Sequence, residues 1–192
     1  MRNASLFLGR TLSSITVLLW LTSFVAGQPT ISSDKTSPVS VIRKYCELDL
    51  EGARLSSENP NADEITALAT WRIEPGWDTS VVVSAFEIEN TSLGPKESRV
   101  TVRYVVLGKM FGAKVAPAQQ HKELVTFVLK ESSGGWLIER PLIAPHVSVS
   151  AAISALKSLL IDEKDPEQIR RLNAGIAALT RWKSEAGPSK SP

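Results

Sequence analysis

The sequence predicts an α+β fold: N-terminal helices packed on a curved antiparallel sheet of about four strands, followed by a C-terminal helical hairpin. Three observations carry this prediction. Residues 37–55 repeat their apolar side chains at helical spacing. Residues 80–143 change to β-branched, alternating runs divided by turn-rich segments. Residues 148–182 return twice to helical spacing, each time behind a capping residue.

Ahead of that fold, residues 1–27 hold Arg2, Arg10 and no acidic residue, then the apolar run TLSSITVLLWLTSFVAG. A basic start, an apolar middle and a small-residue exit define a secretory signal, cut before Gln28. The run is shorter than the ~20 apolar residues of a spanning helix, so an uncleaved anchor is the weaker expectation. The protein is therefore expected to be exported, periplasmic or secreted, with a membrane as partner only if the signal is retained. Residues 28–36, QPTISSDKT, are polar and read as a flexible tether.

Ser37 and Pro38 suit a helix N-cap and first position. Val41, Tyr45, Leu48 and Leu55, widened by Ile42 and Cys46, form one apolar face to about residue 55. SSENPNAD at 56–63 breaks the helix, and Asp63 caps a shorter one over 64–71. After Pro75-Gly76 come four strand runs: 80–90, 99–110, 122–130 and 136–143. In the second, Val100, Val102, Tyr104 and Val106 share a face. Loops at 91–98 and 111–120 separate the first three runs, and ESSGG at 131–135 is a hairpin turn. Pro141 ends the fourth strand or sets it at an edge. Ser148 caps the next helix. Asp165-Pro166-Glu167-Gln168 starts the last one, whose Ile169, Leu172, Ile176 and Leu179 call for the preceding helix as partner. The sheet domain is thus 37–146, the hairpin 147–182 and a disordered tail 183–192.

Charge and composition exclude several functions. The 22 basic and 20 acidic residues become balanced once Arg2 and Arg10 leave with the signal. The charges are interspersed, with no basic, aromatic-studded patch, so nucleic acid is not an expected partner. Cys46, the single cysteine, reads as inert packing, and no internal disulfide is expected. As a nucleophile paired with His121 or His146 it lacks local activation. Those histidines have neither ligand spacing nor companions, so no metal is expected. No phosphate loop or nucleophile elbow is present, and no cofactor is expected. Asn90-Thr91-Ser92 is formally a glycosylation sequon. Glu47, Asp49 and Glu51 read as a solvated helix face.

The helix VIRKYCELDLEGARLSS and the strands TVRYVVLGKM and LVTFVLKESSGGWLIER resemble the nuclear-transport-factor-2-like class, the cone-shaped α+β fold of ketosteroid isomerase and polyketide cyclases. Trp136-Leu137-Ile138 matches the W-x-I pattern of its final hairpin. The resemblance covers about residues 37–143. It implies a sheet wrapped round the first helix, a pocket at the open end and, in many relatives, dimers through the outer sheet face. The class's catalytic set does not carry over: Tyr104 has Val102 and Val106 beside it on its face, where a second acid is absent.

The stretch ATWRIEPGWDTSVVV, residues 69–83, has two readings. Trp71 and Trp77 line a pocket with Glu74 or Asp78 as general acid or base, its pKa raised by an apolar cleft. Alternatively, Pro75-Gly76 makes a helix-to-sheet turn, the tryptophans pack the sheet edge and both acids face water. The weight falls on the second, since acids beside Pro-Gly belong to solvated turns. Tyr104 has the same duality: a pocket residue, or a core tyrosine with its hydroxyl at the rim. The expected binding residues are Trp71, Trp77, Tyr104 and Trp136; Glu74, Asp78 and Tyr104 are the catalytic candidates, with Asp49 as a further base. Three functions follow. The first is an exported non-catalytic domain binding a small apolar ligand or a protein partner. The second is an isomerase, dehydratase or cyclase using a pocket carboxylate. The third is an assembly role as a homodimer.

Overall fold

A computed structural model describes residues 37–185; the signal and tether predicted over 1–36 lie outside them, as do residues 186–192 of the tail predicted over 183–192, while 183–185 continue the last helix rather than starting that tail. The first helix, α1 (Pro38–Leu50), is capped as its sequence predicts, with Ser37 Oγ accepting from Ser40 N–H. It stops at Leu50 rather than near residue 55. Gly52 adopts φ 86°, Gly52 N–H donates to Asp49 O, and Ala53 N–H donates to Leu48 O. This left-handed Schellman cap reverses the chain. The short helix α2 (Ala62–Ala67) starts one position before Asp63, which is not its cap.

The sheet has five strands: β1 (Ser80–Ser92), β2 (Glu97–Phe111), β3 (Lys114–Ser132), β4 (Gly135–Arg140) and β5 (His146–Ser148), in the order β4-β3-β2-β1-β5. It is mixed, because β5 pairs parallel with β1 through Val81–His146 and Val82–Val147. The expected four antiparallel strands are thus corrected. β5 escapes sequence reading because three residues behind Pro145 carry no periodicity. The expected loop at 111–120 is corrected too: Gly112, at φ 53°, turns β2 tightly into β3. Pro117 suggests a loop, but here it sits where β3 has no partner on its outer edge, since β4 joins only from Val128. Pro141 does end β4, an edge strand. Register shifts in β1–β2, β2–β3 and β3–β4 bend the ladder into a curled half-barrel.

Two apolar layers use opposite faces of this sheet. Inside the curl, Ile42, Tyr45 and Cys46 of α1 meet Val83, Val102, Tyr104, Phe127 and Ile138. On the other face lie α3 (Val149–Leu160) and α4 (Pro166–Glu185), so more helix follows the sheet than precedes it. They bury Leu156, Leu172 and Leu179 against Val82, Met110 and Val147. Val81 and Val83 therefore serve one layer and Val82 the other, as strand alternation requires. The shift between Val106 and Gly108 breaks that alternation and sends Met110 to the α3–α4 layer. Ser148 caps α3, and Asp165 Oδ1 accepts from Glu167 N–H at the start of α4.

Candidate functional site

The Gly52 reversal carries Arg54 back beside the last turn of α1. Its guanidinium, 2 % exposed, lies among acids and aromatic rings. Nε and Nη2 donate to Glu74 at 2.6–3.0 Å, Nη1 donates to Asp49 Oδ2 at 3.3 Å, and Nη2 also donates to Ile143 O at 2.5 Å. Its carbon lies 5.7 Å from the Tyr45 ring centre and 6.0 Å from that of Trp77. Trp77 Nε1–H completes the cluster by donating to Glu74 Oε2 at 3.0 Å. One cation thus ties α1, the 71–79 segment and the approach to β5.

Asp49 is fully buried, which corrects its placement on a solvated face. Residues two apart on a helix point to opposite sides, so Glu47 and Glu51 are exposed while Asp49 shares the inner face with Tyr45 and Cys46. Its Oδ2 also accepts from His146 N–H at 2.9 Å. Burial pushes its carboxyl up to about 7, against the lowering by Arg54 and the His146 N–H. Burial also favours the neutral form of Glu74, but hydrogen bonds and charge from Arg54 prevail and hold it low. Arg54 is itself held firmly protonated: burial opposes its charge, and Asp49 leads the groups that outweigh burial.

Behind this cluster, Tyr104 is sealed in the core and its hydroxyl lies 3.2 Å from Cys46 Sγ, not at a rim. Burial raises the Tyr104 hydroxyl and lifts the Cys46 thiol to about 12, which leaves the thiol inert at neutral pH. His146 stacks on Tyr104 at 4.4 Å between ring centres, and its Nδ1 faces Ala144 O at 2.8 Å. Burial lowers its pKa. Tyr45 Oη, Asp49 Oδ1 and His146 Nε2 have no hydrogen-bond partner among the described residues. His121 is exposed on β3. Among the described residues no group of His, Cys, Asp or Glu is arranged to hold a metal ion.

The curl itself is filled by Tyr45, Phe127 and Tyr104. Beside it lies a cleft of about 490 Å³, walled by Arg54, Glu74, Trp77, Asp78, Met110 and Leu159 among others. Of the candidates from sequence, this cleft brings together Glu74, Trp77 and Asp78. Asp78 is exposed, whereas Glu74 turns inward to Arg54 rather than facing water. Trp71 and Trp136 instead pack against the α1 core that contains Tyr104, so of the four expected binding residues the cleft holds Trp77 alone. Sequence reading missed Arg54. The signal was there in Gly52, whose helix-ending role turns residue 54 toward the face of Tyr45 and Asp49.

The chain matches no known family model, no curated protein and no solved structure.

Proposed function

We propose that this chain is an exported, non-catalytic binding domain that holds a small apolar ligand or a protein partner at the cleft beside Trp77. The observation that carries this reading is the cleft's composition. It has an indole wall and apolar Met110, Leu156 and Leu159, while the inward carboxylate, Glu74, is committed to Arg54. A carboxylate in a charged, bidentate pair is a poor proton shuttle. The nuclear-transport-factor-2-like resemblance remains part of the proposal, with a helix followed by a strand meander as its support. Export rests on residues 1–27, and N-terminal sequencing of the secreted protein should begin at Gln28. Among the described residues no helix is long and apolar enough to cross a membrane.

Titrating apolar ligands against intrinsic tryptophan fluorescence and thermal unfolding tests the reading. A ligand that raises Tm in the natural chain, and does so far less in Trp77→Phe, supports it. Absence of any ligand shift, combined with absence of any cross-linked partner, overturns it.

A second reading has one specific observation behind it. Burial holds the Asp49 pKa near neutral against its weaker, 3.3 Å contact with Arg54, and its Oδ1 has no partner among the described residues; both are properties of a general base of the isomerase or dehydratase kind. Deuterium exchange at the α-carbon of carbonyl compounds, abolished in Asp49→Asn, is its expected signature.

A further inference from the structure

The cleft beside Trp77 does not stand alone. A second cleft, of about 520 Å³, runs between the end of α1 and α3. The two share Leu55, Ser56, Ala155 and Leu159, so they form one groove divided by a low ridge of leucine side chains. Leu159, 57 % exposed on that ridge, presents an apolar side chain to both clefts.

The groove's charge is one-sided. Glu51 and Glu58 line one cleft, and Glu74 and Asp78 the other. The lining has a single cation, Arg54, which is buried and already paired with Asp49 and Glu74. Glu51, Glu58 and Asp78 are exposed and have no salt-bridge partner among the described residues. Exposed acids without a base occur elsewhere too, Glu47 and Asp162 among them, but at the groove three of them share a lining whose one cation is the committed Arg54. Three unpaired carboxylates beside Leu55, Ala155, Leu156 and Leu159 give the groove a net negative rim over a partly apolar lining.

We infer that this groove docks a basic peptide segment, with leucine-like side chains set on the Leu55–Leu159 ridge and lysine or arginine side chains reaching Glu51, Glu58 and Asp78. The inference rests on the binding-domain reading and names its partner class. Apolar anchors supply affinity and the rim charges supply orientation and approach rate.

The test is fluorescence anisotropy of the chain with a labelled peptide of repeated Lys-Leu-Ala-Lys, beside the same peptide with Glu in place of Lys. Two surface variants accompany it: a triple variant, Glu51→Gln, Glu58→Gln and Asp78→Asn, and Leu159→Ser. The lysine peptide is expected to bind and the glutamate peptide not to. The triple variant should weaken binding by about tenfold or more, and Leu159→Ser by several-fold. Loss in the triple variant with Leu159→Ser unchanged marks unspecific charge attraction and overturns the inference. So does binding indifferent to both variants, and so does no binding at all. If apolar ligands still shift Tm through Trp77 while the lysine peptide fails, the peptide inference alone falls; failure of both removes the binding domain with it.

Discussion

Arg54 shows how much one side chain can organise. A guanidinium with two carboxylates and a carbonyl around it is well compensated, so the danger lies in breaking the set rather than in the set itself. Arg54→Met leaves Asp49 buried with its main counter-charge gone. Urea unfolding should show a loss of about 3–5 kcal/mol. Glu74→Gln keeps the side chain's size but turns one of its two accepting oxygens into a donor facing N–H groups of Arg54 or Trp77, and should cost about 1–3 kcal/mol. Asp49 gives a pH signature. A carboxyl whose folded pKa is raised contributes most when protonated. Its contribution is complete below about pH 4 and is lost as pH rises toward about 7. Glu74, held low, behaves oppositely: its contribution is present above the ordinary carboxylate range and is lost on acidification through its folded pKa. Glu74 titrates in both the natural chain and Asp49→Asn, so their stability difference isolates Asp49. That difference should move against the natural chain from pH 4 to 8; a flat difference contradicts the assignment.

Among the elements, the caps were the most legible part. Ser37, Ser148 and Asp165 each accept the backbone N–H that their positions predict. Local chemistry is enough there, because cap and donor lie two or three residues apart. Gly52 marks where α1 ends, although Leu55 extends the apolar spacing by another turn. The β2–β3 hairpin was obscured by Pro117, whose meaning depends on whether a neighbouring strand exists. The seating of α4 supplies another test. A Cβ on Gly175 would lie 2.6 Å from Ala113 O and 3.0 Å from Leu156 Cδ1. Helix propensity alone favours alanine there by about 1 kcal/mol. The backbone carbonyl cannot step aside, and overpacking costs about 1–3 kcal/mol, so Gly175→Ala should destabilise. Thermal unfolding decides the sign: an increase in Tm would show that α4 is free to shift.

For the molecule as a whole, the sheet is a partition shared by two cores. α1 fills the curl on one side, and the α3–α4 pair covers Val82, Met110 and Val147 on the other. Ending the chain after residue 162 removes Leu172 and Leu179 and uncovers Leu156. Burying each leucine is worth about 1.5–3 kcal/mol, so the loss rivals the 5–15 kcal/mol by which domains are stable. Near-ultraviolet circular dichroism of that truncation should show loss of fixed tertiary packing. Retention of a sharp, unchanged transition would mean that the α1 core stands without α4.

The sequence by itself determined the α+β class, the apolar faces of the helices, four of the five strands and the caps at Ser37, Ser148 and Asp165. These follow from periods of two and 3.6 residues and from contacts a few positions apart. Only the tertiary structure decided that Asp49 is buried, that Arg54 holds Glu74 and that β5 completes the sheet. Arg54 and Glu74 are 20 residues apart, and Asp49 and His146 are 97. A charge's environment over such separations is set by which surfaces fold together, and no local pattern encodes that.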